Sequence, residues 1–114
     1  QKKIIINDIN AKVDLVHIED VVGALNSILI SKKKDIYRNF TYDISSRQQI
    51  SLFQLIKSIE KVCSYKFALI ENKKVFNQYL KKPFRGKKLI NWSNKISLQN
   101  GLKKTHLLFY PKLK

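Results

Sequence analysis

The apolar residues of this 114-residue chain change their spacing several times, and that alternation restricts the fold more than any other feature. Residues 3–9, Lys-Ile-Ile-Ile-Asn-Asp-Ile, read as a strand running into a turn at Asp8 to Ala11. Lys12 to Ile18 forms a second extended segment through Val13, Leu15, Val16 and Ile18. From Asp20 the period becomes helical, with Val21, Val22, Ala24, Leu25, Ile28 and Leu29 as its apolar positions. Glu19 and Asp20 put negative charge where the helix dipole favours it, and Lys32 to Lys34 supply the opposite sign at the far end. Tyr37 to Ile44 reads as a strand and Ser45 to Gln49 as a polar connection. Ser51 and Gln54 have capping-box spacing, ahead of a stripe formed by Leu52, Leu55, Ile56, Ile59, Val62 and Cys63. Lys66 to Ile70 is a further strand. Val75, Phe76, Tyr79 and Leu80 suit a short helix, broken by Pro83 and Gly86. A last helix runs from Ser97 through Phe109 and stops at Pro111. Strands and helices thus alternate, which predicts an α/β unit in one domain, residues 1–114. No internal repeat is present.

Composition narrows the class. With 44% hydrophobic and 11% aromatic residues and only three Gly and two Pro, the chain is not a disordered one, and a modest core of its own is expected. One cysteine excludes a disulfide framework and every zinc site that needs paired thiolates. The apolar runs are too short to cross a bilayer, and no secretory leader is visible, so the expectation is a soluble, cytoplasmic protein with no membrane partner. The chain opens on Gln1, which suits a piece of a longer polypeptide. The net charge of +15 points towards polyanions. Twenty of the 23 basic residues are Lys, however, and Ile and Asn are abundant beside them, a combination that AT-rich codons favour. Arg, the better residue for bidentate phosphate or base recognition, occurs only at 38, 47 and 85.

Little in the chain suggests catalysis. His17, Glu19 and Asp20 lie close together, yet lone His and carboxylates at a helix start are ordinarily capping or solvated groups, so no metal site is expected. Cys63 continues an apolar stripe and reads as a core thiol. Gly23, Gly86 and Gly101 are too dispersed for a phosphate-cradling loop. Tyr110 and Lys114 have Tyr-x-x-x-Lys spacing, but Pro111 lies between them and prevents the shared helical face that such a pair needs. Basic clusters at 32–34, 73–74, 81–88 and 103–104 alternate with Phe76, Tyr79, Phe84 and Trp92, leaving a Lys-rich binding module for nucleic acid or other polyanions as the competing reading.

Three segments, taken in order, resemble one family. Val13-Asp14-Leu15-Val16-His17-Ile18-Glu19-Asp20-Val21-Val22 is similar to the Arg-Asp-Phe-Val-His-Val-Asp-Asp-Val signature of NAD-dependent sugar-nucleotide epimerases and dehydratases, the extended short-chain dehydrogenases. Tyr42-Asp43-Ile44-Ser45-Ser46, followed by Ile50-Ser51-Leu52, resembles their Tyr-Asn-Ile-Gly-Ser-Gly loop and the capped helix behind it. Leu89-Ile90-Asn91-Trp92, with Ile96-Ser97-Leu98-Gln99-Asn100-Gly101-Leu102, resembles their closing Leu-Gly-Trp and Ser-Leu-Glu-Glu-Gly-Leu helix. Pro83-Phe84-Arg85-Gly86 is similar to a Pro-x-Arg-x-Gly-Asp stretch whose Arg binds diphosphate.

The resemblance implies the C-terminal, substrate-binding α/β portion of such an enzyme, without the Rossmann glycine-loop domain and its Tyr-x-x-x-Lys pair. It implies NAD(P) for the full-length parent and no cofactor site or catalytic residue in this chain, which alone is expected to be inactive. The implied ligand is a nucleotide-diphosphate sugar, gripped by Arg85 with Lys12 and His17 as neighbours. Family members are commonly homodimers, through helices that would lie upstream of Gln1. The chain departs from the pattern in three places. Val13 stands where the family has an Arg, Ser45 and Arg47 stand where its loop has glycines, and the Asp-x-Ser-Lys segment before the Trp is missing.

Overall fold

The computed structural model describes residues 2–32, 40–72 and 86–111. In chain order the elements are β1 (Lys3–Ile6), β2 (Lys12–Val13), α1 (Ile18–Ile30), β3 (Tyr42–Asp43), β4 (Ile50–Ser51), α2 (Leu52–Cys63), β5 (Ala68–Glu71), β6 (Lys87–Lys88) and α3 (Leu98–Phe109). The strands form three separate ladders. β1 pairs with β5 in parallel, β2 with β4 antiparallel, and β3 with β6 in parallel. The mixed α/β class expected from the alternating periods is the class observed.

Helix α2 follows its sequence closely because its signals are local. The Ser51 hydroxyl accepts from the Gln54 amide, and the Gln54 side chain accepts from the Ser51 amide, which completes the capping box. Ile56 is buried on the expected stripe, and Ser64 ends the helix in the left-handed region at φ 52°. Glu60, on the same helix, turns its carboxylate to the Phe67 amide (2.9 Å) and the Lys57 ammonium (2.7 Å). That hold on Phe67 delays the next strand, so β5 begins at Ala68 rather than Lys66. The last helix, α3, has Ser97 as its N-cap, with the hydroxyl accepting from the Asn100 amide.

Four elements differ from expectation. The segment after Lys12 is strand for two residues only, because Asp14 leaves the ladder and takes its hydrogen bonds from residues 45–47. Helix α1 starts at Ile18, capped by His17, instead of at Asp20. Ile50–Ser51, read as connection and cap, pairs with β2, and Lys87–Lys88 is a strand in a stretch where none was expected. Strands of two residues carry no period to detect. Of the Tyr37–Ile44 strand, Tyr42–Asp43 is observed and residues 37–39 lie outside the described residues, as does the short helix expected around Val75 to Leu80.

The core is smaller than the composition suggests. Among the described residues Ile6, Ala24, Ile56 and Leu89 are the buried apolar side chains, while sixteen large ones are exposed. The molecule is a plate of 53 × 45 × 16 Å, with a radius of gyration of 17.4 Å. A compact domain of this length would have a radius of about 13 Å. One dimension is therefore little thicker than a single helix with its side chains, about 10–12 Å across.

What locks the plate is Asp20. Its buried carboxylate accepts from the backbone amides of Lys95 (3.0 Å) and Ile96 (2.9 Å), and its carbonyl accepts from the Trp92 indole N–H (3.1 Å). The segment ahead of α3 is thus fastened to the first turn of α1. Asp20→Ala leaves two backbone amides without their charged acceptor. A loss of about 3 kcal/mol is expected, since hydrogen bonds to charged groups contribute roughly 1.5–3 kcal/mol each. Urea unfolding followed by Trp92 fluorescence measures it, and a change below about 1 kcal/mol would contradict the assignment.

Candidate functional site

Lys12 is exposed on β2 with Ser51 as its ladder partner. The chain just ahead of it is held to the start of α2, where the Leu52 amide donates to the Ala11 carbonyl (2.8 Å) and the Phe53 amide to that of Ile9 (3.1 Å). Its backbone is therefore fixed while its ammonium group faces water.

Two residues further on, Asp14 gathers the loop that follows β3. Its carboxylate accepts from the Ser45 and Ser46 hydroxyls, the Ser46 amide (3.0 Å) and the Arg47 amide (3.2 Å). Arg47 adopts φ 58°, a conformation that glycine takes without strain. Here the donors converging on Asp14 hold the backbone in that shape without glycine. Partial burial opposes ionisation of Asp14, but the Ser45, Ser46 and Arg47 donors outweigh it and bring its pKa below the ordinary 3.8.

His17 is placed by two contacts. Its Nδ1 accepts from the Glu19 amide at 3.2 Å, which caps α1, and its ring lies on Gly101 of α3. A methyl group at Gly101 would come within 3.2 Å of His17 Cδ2. Close by, the Lys104 ammonium bridges both Glu19 carboxylate oxygens at 2.7 and 2.8 Å, a second tie between α1 and α3. Because Nδ1 accepts, the neutral ring carries its proton on Nε2 and can donate from there.

Arg85 lies outside the described residues, but its successor is firmly placed. The Gly86 amide donates to Asp43 Oδ2 at 2.7 Å, and the Lys87 amide to the Thr41 carbonyl at 2.9 Å. A Cβ at Gly86 would stand 2.9 Å from the Asp43 amide nitrogen and the Thr41 carbonyl oxygen, both backbone atoms that have little room to yield. Only glycine allows the chain leaving Arg85 to approach β3 this closely. Lys87 then sets its ammonium 3.6 Å from the centre of the Phe40 ring, and Lys88 borders an open cavity of about 500 Å³ lined also by Leu89 to Ser93. A second cavity of about 550 Å³ lies between α1 and residues 91–96.

Of the expected site residues, Lys12 lies on β2 and His17 at the start of α1, on separate elements, and Arg85 lies outside the described residues. Sequence reasoning missed one pairing. Cys63 Sγ, at the end of α2, is 3.6 Å from His106 Nδ1 on α3, and both are half-buried. Each belongs to an apolar helical stripe, and 43 positions separate them, so nothing local announced the contact. Among the described residues no group of three His, Cys, Asp or Glu could hold a metal ion, and no helix is long and apolar enough to cross a membrane.

Two predictions follow from this geometry. Gly→Ala inside a helix ordinarily stabilises by about 1 kcal/mol. At Gly101 that gain is offset because His17 cannot yield without losing its cap, and a net loss of about 1 kcal/mol is expected from overpacking. In a His17→Ala background the same change becomes stabilising, which thermal unfolding of the four variants would show. The lowered pKa of Asp14 means its contribution to stability is complete above the unfolded-state value near 4 and is lost as pH falls through the folded value. Glu60 and Glu19 act in the same direction. The Lys57 ammonium and Phe67 amide hold Glu60 below its ordinary value, and the Lys104 ammonium does so for Glu19. Asp14→Asn should accordingly make the fall in denaturation midpoint between pH 5 and pH 2 shallower without abolishing it.

No family model matches the chain, and no curated protein does. Among solved structures it is similar to RMD from Pseudomonas aeruginosa in complex with NADPH, at 14% sequence identity and a TM-score of 0.67. The likeness covers 90% of this chain and 33% of that one, so the chain spans about a third of the neighbour's length. At this identity the comparison speaks to architecture. The chain has an α/β fold like that of part of this neighbour.

Proposed function

We propose that this chain is the substrate-binding part of an NAD(P)-dependent sugar-nucleotide epimerase, dehydratase or reductase and contributes the grip on a nucleotide diphosphate. The observation that carries the reading is the fold likeness over 90% of the chain to a protein bound to NADPH. The order of the three motif-like segments supports it. So does the tight Gly86 joint, which fixes the chain directly after the Arg that resembles a diphosphate ligand.

In this reading Arg85 pairs with the diphosphate through charge-assisted, bidentate hydrogen bonds. Lys12 adds an exposed positive charge from a fixed strand, and His17 donates from Nε2. In this reading the chain itself is assigned no cofactor site. The three glycines are scattered, and Tyr110 is the cap that ends α3, followed by Pro111. No hydride transfer or proton abstraction is assigned to any group here. NAD(P) and the catalytic pair belong to the parent enzyme, with a cytoplasmic location.

Isothermal titration of the chain with a nucleoside diphosphate tests the reading. A single saturable site is expected, weakened at least tenfold by Arg85→Ala and less by Lys12→Ala, with no NAD-dependent turnover of any sugar nucleotide. The +15 charge supports a second reading, non-specific binding of nucleic acid. That reading gives an affinity for single-stranded DNA that falls steeply with salt and is unaffected by Arg85→Ala. Tight, salt-sensitive DNA binding without any nucleotide site would replace the first reading by the second.

A further inference from the structure

Helices α2 and α3 pack against each other, and a thiol and an imidazole meet between them. On α2, Cys63 is the last residue of the stripe that runs through Ile56, Ile59 and Val62; on α3, His106 follows Leu102 by one turn. Cys63 Sγ is 3.6 Å from His106 Nδ1, within hydrogen-bonding reach for sulfur, and both residues are half-buried. For Nδ1 to accept from the thiol, the neutral ring carries its own proton on Nε2. That second nitrogen has no hydrogen-bond partner among the described residues, so it can exchange a proton with water. One turn on, the Tyr110 ring lies 5.2 Å from the imidazole, centre to centre, with the planes tilted by 34°, and restricts its rotation. A sulfur nucleophile, a base within reach and a group that orients the base together make an activated thiol.

We propose that Cys63 is a reactive thiol, with His106 as its general base, that exchanges with small anionic disulfides of the glutathione disulfide class to form a reversible mixed disulfide. In the exchange His106 Nδ1 takes the thiol proton while the Cys63 sulfur attacks one sulfur of the small disulfide. A new S–S bond forms to Cys63 and the old one breaks. The departing thiolate is protonated from the imidazolium through water, so Cys63 is oxidised and half of the small disulfide is reduced to a thiol. The ring is essential because Cys63 ends α2, where the helix dipole opposes a bare thiolate. His106 stands in the last turn of α3, where the dipole favours the positive imidazolium instead. Size and charge define the substrate class. A half-buried sulfur admits a slim disulfide, and the exposed Lys61 and Lys103, within three residues of the pair in sequence, suit a negatively charged one. The carboxylate nearest to Cys63 in sequence, Glu60, is engaged by the Lys57 ammonium and the Phe67 amide. The proposal is independent of the nucleotide reading.

The chain has one cysteine, so every thiol signal reports Cys63. Colour release from dithiobis-nitrobenzoate, a dianionic disulfide, at pH 7 tests the proposal on the 114-residue chain. The folded thiol should react at least about tenfold faster than the same thiol in urea, since a positioned base contributes roughly 10²-fold or more and half-burial takes back part of it. His106→Gln removes the base and should bring the folded rate down to the unfolded one, with circular dichroism unchanged. If that variant does not fold, the wild-type comparison of folded with unfolded chain still decides. Glutathione disulfide should add one glutathionyl group by mass, absent in Cys63→Ser and removed by dithiothreitol. A folded thiol no faster than the unfolded one, an acceleration that persists in folded His106→Gln, or no glutathionyl adduct would each overturn the proposal.

Discussion

The arrangement depends on one buried carboxylate. Asp20 accepts from the amides of Lys95 and Ile96 and, through its carbonyl, holds the Trp92 indole. It is the point at which residues 92–96 are fastened to α1, more than seventy positions away in sequence. Around that clamp the other α1–α3 ties find their places: His17 on Gly101, and Lys104 on Glu19. A charge this well satisfied gives direction that apolar contact alone would not, because its donors must meet it at defined angles. In a plate with so few buried apolar side chains, directional bonds of this type carry much of the definition of the fold.

A second carboxylate performs the same task in the loop after β3. Asp14 collects four donors from Ser45 to Arg47 and holds Arg47 in a glycine-like conformation. At those very positions the chain departs from the glycine loop that its sequence otherwise resembles, and the serine hydroxyls supply donors that a glycine loop would lack. The backbone shape is kept by different means. At Gly86 no such replacement was available, since backbone atoms of Thr41 and Asp43 occupy the space a side chain would need. The surface left over is unusually apolar. Ile5 and Ile70 face each other across the parallel β1–β5 ladder and are both exposed, although parallel ladders are normally covered on both faces.

What could be read from the sequence was whatever is encoded within a few residues. The Ser51–Gln54 box, the α2 stripe and the Ser97 cap each depend on spacings of three or four, and each is present as expected. The class followed from the alternation of periods. Contacts across the chain stayed hidden. The Asp14 hub spans 31 to 33 positions and the Cys63–His106 pair 43, and neither has a local signature. His17 caps α1, the ordinary role of a lone His at a helix start, and its packing on Gly101, 84 positions away, had no local signature. The two-residue strands β4 and β6 were invisible because alternation needs more positions than they contain.

The proposed diphosphate grip of Lys12 and Arg85 is the part of the reading most open to a direct test. Amide chemical shifts of the ¹⁵N-labelled chain, followed during titration with a nucleoside diphosphate at physiological salt, test it most directly. The account predicts saturable shifts concentrated at residues 11–14, at His17 and at 85–88. Shifts scattered over lysine-bearing faces at 32, 61, 66 and 103–104, fading together as salt is raised, would contradict it.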